Sequence, residues 1–288
     1  MSKEFAVNIR QAGAFSYEPN TQPDVDETLT NSKFDLEPIK IFVGTSEYED
    51  NWIERILVYS LHSNTERKLD ITFMRPSWSK DWNKRMWGTP FTNHRYAIPE
   101  LCNFEGRAIY MDADQLNFRD IEHLWNTELE NCAFGMVWDP LNKNPKSHEG
   151  TEYERGWFSD SVIIMDCKKA KKYIDPIEEI KVCDWNYKNV FQKNIHSPYR
   201  ERCEDIIVKR IDARWNSFDG CVTDDECEDR QTQKHYELED IWHLHFTSLS
   251  SQPWHPKYSP FGKAPYKRQD IADELWKVAY KVQDIVDI

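Results

Sequence analysis

Apolar and polar positions first take on a regular period at Ile39-Lys-Ile-Phe-Val43, a β-branched and aromatic run that stops at Gly44-Thr45. Such a run predicts a strand. From Asp50 to His62 the apolar residues Trp52, Ile53, Ile56, Leu57 and Leu61 recur at helical spacing, with Asp50 near the N-cap. Leu69-Asp-Ile-Thr-Phe-Met74 predicts a second strand, so the chain opens β-α-β, a right-handed crossover in a parallel sheet. Phe91 to Leu101 is expected to be a helix interrupted near Pro99, Gly106 to Met111 a strand, and Phe118 to Trp125 a short helix. Cys132 to Trp138 and Ser161 to Met165 predict two more strands, and Lys168 to Tyr173 begins a basic helix. Residues 180–210 read as largely helical, Ile241 to Phe246 alternates as a late strand, and Asp270 to Ile288 carries one apolar helical stripe. That stripe is expected to pack on its own domain.

Between these segments lie polar stretches. Residues 1–38 show no clear period and read as a polar N-terminal arm. Arg75 to Gly88 carries Trp78, Trp82 and Trp87 and reads as a loop or small helical insert near the site; 139–156 and the acidic, Cys-containing 219–232 read as solvated loops. Strands alternating with helices predict an α/β sheet. The expected organisation is one domain over 39–260, the arm before it and a C-terminal helical extension over 261–288.

Composition narrows the function. A net charge of −13 with no basic block argues against nucleic acid as a partner. The seven cysteines contain no C-x-x-C pair and fit reduced thiols rather than a disulfide framework or a zinc site. There is no apolar run of about 18 residues, so no transmembrane segment is expected. The opening residues lack the apolar centre of a signal peptide, and a cytoplasmic location is expected. Twelve tryptophans suit a site that grips sugars and equally suit a core. Trp78 to Trp87, Trp138, Trp157 and Trp254 are open to both readings.

The candidate chemistry centres on Asp112-Ala-Asp114, directly after the apolar run Ala108-Ile-Tyr-Met111. If the strand ends near Met111, two carboxylates sit where it leaves the sheet, the edge at which open α/β sheets bind ligands. They repel each other unless a cation lies between them or one is protonated. The plain alternative is a solvated strand end with an Asx turn. His245, at the end of the late strand, would complete a set of two carboxylates and one imidazole, which suits Mn²⁺ at least as well as Mg²⁺. A lone histidine is more often structural. Gln252-Pro-Trp254 and Phe158-Ser-Asp-Ser-Val162 are the other two features that stand out.

The order of these features resembles family 8 of the glycosyltransferases, relatives of glycogenin and of bacterial lipopolysaccharide galactosyltransferases. It runs from a strand ending in Gly-Thr through Tyr110-Met-Asp-Ala-Asp114 to His245-Phe-Thr and Gln252-Pro-Trp254, and covers about 39–256. The resemblance implies a GT-A fold, a Rossmann-like mixed sheet with flanking helices. It implies a nucleotide-diphosphate sugar donor, usually a UDP-hexose, and transfer with retention. Asp112, Asp114 and His245 would hold Mn²⁺, or Mg²⁺, on the donor diphosphate, with Ala113 between the aspartates in the donor-binding segment. Gly44 and Thr45 would lie against the nucleoside, and Arg95 would contact the donor. Ser159 and Asp160 match the step that touches the sugar. Glu204 and Asp205 fall near a pair close to the reacting carbon. In the closing motif Ser248 stands for glycine and Gln252 for lysine. The lysine meets the diphosphate, so Gln252 would bring a hydrogen bond without a charge. The acceptor, whether glycan, lipid-linked or protein, is not specified.

The chemistry is coherent on physical grounds. A departing nucleoside diphosphate gains negative charge that a divalent cation neutralises. The anomeric carbon becomes oxocarbenium-like and is stabilised by a nearby carboxylate or amide. Asp205 is the first candidate for that role, ahead of Glu204 and Asp160. Two other readings stand beside this one. One is a non-catalytic nucleotide-sugar-binding relative, motivated by Gln252 and Ser248. The other is an Asp-x-Asp phosphatase, whose motif normally follows the first strand. Here two strands precede Asp112.

Overall fold

The computed structural model describes residues 7–11, 36–46, 51–85, 87–140, 156–183, 187, 191, 207–219, 236–247, 252–255, 266 and 268–286. In chain order the strands are β1 (Val7–Gln11), β2 (Ile39–Gly44), β3 (Leu69–Met74), β4 (Arg107–Asp112), β5 (Gln115–Asn117), β6 (Phe134–Pro140), β7 (Gly156–Asp166), β8 (Val208–Arg210), β9 (Ser217–Phe218) and β10 (His243–His245). The helices are α1 (Asn51–Ser63), α2 (Ile98–Leu101), α3 (Glu122–Trp125), α4 (Cys167–Ala170), α5 (Ile177–Val182) and α6 (Gln269–Val286).

Seven strands form a mixed sheet in the order β1-β3-β2-β4-β7-β6-β8. The four on the β1 side are parallel to one another, and β7 runs antiparallel to both β4 and β6. The central strands are apolar on both faces because both faces are covered. Ile41, Val43, Ile109 and Met111 pack into one cluster, while Phe42, Ala108 and Tyr110 pack into the other. This is the two-residue alternation of a strand sorted onto two cores. A second, three-stranded sheet has the order β5-β10-β9. It packs, through Leu116, Leu244 and Phe246, with Ile53 and Ile56 of α1 and with Ile271, Leu275 and Val282 of α6. The C-terminal stripe thus covers α1, as its apolar spacing predicts.

The structure departs from the sequence reading in several places. Val7–Gln11 lies within the expected polar arm, yet it pairs with β3 at the sheet edge. The expected helix over 91–101 is a 3₁₀ turn at His94–Ala97 followed by the single turn of α2. Of the expected helix from Phe118, only Glu122–Trp125 is helical. The region 180–210 contains β8, which adds to β6 in parallel. Ser159 and Asp160 lie inside β7 rather than before a strand. The β6–β7 register shifts from Met136↔Ile163 to Val137↔Ser159, so residues 160–162 have no partner on β6. Asp50, Glu204, Asp205 and Ser248 lie outside the described residues. Among the described residues no helix is long and apolar enough to cross a membrane.

Candidate functional site

The parallel strands β2, β3 and β4 end level with one another, Gly44 facing Met74 on one side and Asp112 on the other. Beyond Asp112 the chain turns, and the Ala113 amide donates to the Gly44 carbonyl at 3.0 Å. It then enters β5 and leaves for the small sheet, where Gln115 faces His245 across an antiparallel pair. The Phe246 amide donates to the Asp114 carbonyl at 3.0 Å. Two backbone ladders therefore meet at one turn. The first fixes Asp112, the second brings His245 against Asp114. Ligand atoms of Asp112, Asp114 and His245 all lie within 4.8 Å of one another, and His245 Nε2 is 3.5 Å from Asp114 Oδ1.

Each carboxylate is held by one oxygen. Asp112 Oδ1 accepts from Arg95 Nη2 at 3.1 Å and from the Tyr110 hydroxyl at 2.5 Å. Asp112 Oδ2 has no partner among the described residues. Asp114 Oδ2 accepts from Gln252 Nε2 at 3.1 Å, leaving Oδ1 toward His245. His245 Nδ1 is buried without a hydrogen-bond partner among the described residues. Two carboxylates and an imidazole crowd together here, with Asp114 Oδ1 facing the imidazole Nε2, an arrangement that fits a site built for a cation.

Burial pushes the Asp112 carboxyl above its usual pKa, with Arg95 and His245 pulling it back and Asp114 adding to the rise. Burial alone would push the His245 imidazolium down, but the Asp114 carboxylate, with Asp112 and Asp219 behind it, carries its pKa above the ordinary imidazole value. Tyr110 and Tyr96, both fully buried, are raised well above the usual phenol range by burial and stay protonated donors.

Arg95 is nearly buried, at 4% exposure, and does not stand free. Its guanidinium lies over the Tyr110 ring at 4.5 Å and pairs with Asp112 and with Asp160 Oδ1, each at 3.1 Å. Asp160 Oδ2 accepts from the Tyr96 hydroxyl at 2.7 Å. Both Asp160 oxygens are thus engaged inside the protein. Ser159 lies 3.1 Å from Ser161 through their hydroxyls, and Asn216 Nδ2 donates to both, at 2.8 and 3.0 Å. Gly44 has no room for a side chain, since a Cβ there would lie 2.1 Å from the Tyr110 hydroxyl oxygen. Thr45 is buried and its hydroxyl donates to Glu54 at 2.7 Å; Glu54 in turn pairs with Arg75.

Behind the site, the His243 ring nitrogens lie 2.8 Å from Gln115 Oε1 and 3.2 Å from Asn117 Oδ1. Burial takes its pKa down to about 3, so it is a neutral strut that donates to one of the two oxygens. Asp219, expected in a solvated loop, is buried and accepts from Tyr266 and Thr247 at 2.9 and 3.2 Å. The remaining stretch to 232 lies outside the described residues. Trp78, Trp82 and Trp87 pack edge-on around the buried His94, with Trp82 itself buried and Trp78 and Trp87 half-buried against the same cluster. Trp138 packs on Phe158, and Trp254 on Phe246 and Trp52.

Sequence reasoning gave no role to Tyr110, Tyr96, Asn216 or Asp219, and it set His243 on the face away from His245, whereas residues two apart on one strand share a face. Tyr110 was within reach, because it lies two residues before Asp112 on one strand and so shares its face. The others depend on contacts between distant segments.

The family model described as Glycosyl transferase family 8 matches residues 25–257. Protein CDI of Arabidopsis thaliana is 26% identical, over 67% of this chain and 74% of its own length. Among solved structures, galactosyltransferase LgtC in complex with donor and acceptor sugar analogs matches with a TM-score of 0.51 at 14% identity, covering 84% of this chain and 96% of that one. The WbbM bifunctional glycosyltransferase, in its apo structure, gives 0.52 at 12% identity over 88% of this chain, which spans about half (52%) of that longer protein. Both neighbours share the GT-A fold, and the mixed sheet with flanking helices described above is of that type.

Proposed function

This chain belongs to glycosyltransferase family 8, and we propose on that premise that it moves a hexose from a UDP-hexose to an acceptor, with retention, in an Mn²⁺-dependent reaction. The observation that carries the proposal is the convergence of Asp112, Asp114 and His245, whose ligand atoms lie within 4.8 Å of one another with Asp114 Oδ1 turned to the imidazole Nε2. When bound there, the ion supplies Lewis-acid neutralisation of the departing diphosphate. Mg²⁺ is the second candidate, and the imidazole weighs towards Mn²⁺.

The protein's own groups do the rest. Arg95 and Tyr110 hold Asp112 by one oxygen and so aim the other. The Gly44 end of β2 offers backbone to the nucleoside, since its neighbour Thr45 has its hydroxyl turned to Glu54. Ser159 is held by Asn216 at the β7 bulge and faces the sugar side by resemblance to the family. Asp160, with both oxygens engaged, holds Arg95 in place. By resemblance to the family, the carboxylate of Asp205, with Glu204 beside it in sequence, stabilises the positive charge developing at the anomeric carbon. The acceptor is a glycan, a lipid-linked sugar or a protein side chain.

The test is release of UDP from a panel of UDP-sugars in the presence of Mn²⁺. One or more UDP-hexoses should turn over, and Asp205→Asn should keep donor affinity while lowering turnover by about 10²-fold or more. Donor binding with no turnover by the wild type would mark a non-catalytic relative. Hydrolysis of a phosphomonoester without sugar-nucleotide turnover would mark a phosphatase.

A further inference from the structure

Gln252 stands where the family's closing motif carries a lysine, and its partners differ from those a phosphate-binding residue would need. The side chain is 4% exposed. Its amide nitrogen lies 3.1 Å from Asp114 Oδ2 and 3.2 Å from the Phe246 carbonyl oxygen. A primary amide has two N–H donors and one acceptor oxygen. Both donors are engaged by the protein. What remains is Oε1, an acceptor, and an ionised diphosphate presents acceptors only. A phosphate contact through this residue would have to break a buried hydrogen bond.

We propose that Gln252 is a positioning residue for Asp114. The inference rests on the metal-site reading given above and deepens it. Asp114 sits on the turn between β4 and β5, where its carboxylate is free to rotate unless something fixes it. Gln252 holds Oδ2, which turns Oδ1 toward His245 Nε2 at 3.5 Å. The same amide nitrogen ties to the Phe246 carbonyl, while the Phe246 amide donates to the Asp114 carbonyl. Side chain and backbone therefore clamp the turn to the end of β10 from both sides. Asp112 has the matching arrangement, with Arg95 and Tyr110 on one oxygen. A neutral amide fixes Asp114 without cancelling its charge. A lysine at this point would form an ion pair with Asp114 and compete with the cation for it. Partners of ligating carboxylates tune metal affinity about 10- to 100-fold.

The probe is Mn²⁺ alone, titrated by electron paramagnetic resonance into the full chain. Gln252→Met removes the donors at similar volume, and Gln252→Lys restores the family's residue. Each should weaken Mn²⁺ affinity at least tenfold while leaving the ratio of UDP to UMP affinity, measured without metal, unchanged. Combining Gln252→Met with Asp114→Asn should add nothing to the loss caused by Asp114→Asn alone, because the two act through one carboxylate. If the methionine variant does not fold, Gln252→Asn keeps the amide but cannot reach as far, and the same tenfold loss is expected. Wild-type Mn²⁺ affinity in these variants, with a reduced UDP to UMP ratio, would make Gln252 a phosphate contact and overturn the proposal. A lower melting temperature at unchanged Mn²⁺ affinity would make it merely structural and overturn it too. Failure of the wild type to bind Mn²⁺ would instead remove the metal-site reading beneath it.

Discussion

Asp112, Asp114 and His245 act on one another's charge, and that gives the site a pH dependence of definite sign. The raised pKa of His245 means that without metal the imidazole carries a proton at pH values where a free one has lost it, above about 6.5. That proton stabilises the metal-free fold; the contribution is full below the unfolded imidazole's pKa and is lost as pH rises through the raised value. A cation must displace it. Mn²⁺ affinity should therefore climb as pH rises through the His245 pKa, and the upward shift of Asp112 works in the same direction. Mn²⁺ titrations across a pH series check this, and an affinity flat from about pH 6 to 8 would contradict it. Gly44 is a second residue with a narrow role. A Cβ there would lie 2.1 Å from the Tyr110 hydroxyl oxygen and 2.8 Å from the Phe91 ring. Gly44→Ala should displace the phenol that donates to Asp112, costing about 1–3 kcal/mol of stability by overpacking and weakening Mn²⁺ binding. Denaturant unfolding and metal titration of that variant give both readings.

At the scale of elements, the site depends on two sheets meeting at β5, and the small sheet is held down by α1 and α6. Leu275 is fully buried between them. Leu275→Ala should cost about 2–5 kcal/mol, seen as a lower denaturation midpoint. This layout was legible only in part. Ile39 to Gly44, Leu69 to Met74 and Ala108 to Met111 are apolar runs long enough to be read as buried strands, and the stripe of α6 is long enough to be read as a helix. Gln115–Asn117 is three residues long and has no period to detect. Ile206-Ile-Val208 leads into β8, but so short an apolar run does not distinguish strand from helix. Val7 and Ile9 do alternate with polar residues, and their signal was masked by the polar sequence around them. In the site, Asp112 and Asp114 announce themselves by spacing and His245 by its strand end. The engagement of Arg95 by Asp160, and of Asp114 by Gln252, joins segments 65 and 138 positions apart. No local pattern encodes such pairs.

The molecule as a whole carries a net charge of −13, an unfavourable field for a nucleotide diphosphate. Arg95, the guanidinium beside Asp112, is already balanced by Asp112 and Asp160. On the proposed function, a cation held by Asp112, Asp114 and His245 would resolve this conflict by linking an acidic protein to an anionic donor. The most direct measurement is calorimetric binding of UDP, with and without Mn²⁺, to the wild type, Asp114→Asn and His245→Ala. The expected result is tight UDP binding by the wild type only with Mn²⁺, and loss of that enhancement in both variants while each keeps a cooperative unfolding transition. Equal UDP affinity with and without Mn²⁺ in the wild type, or undiminished enhancement in either variant, would contradict the account.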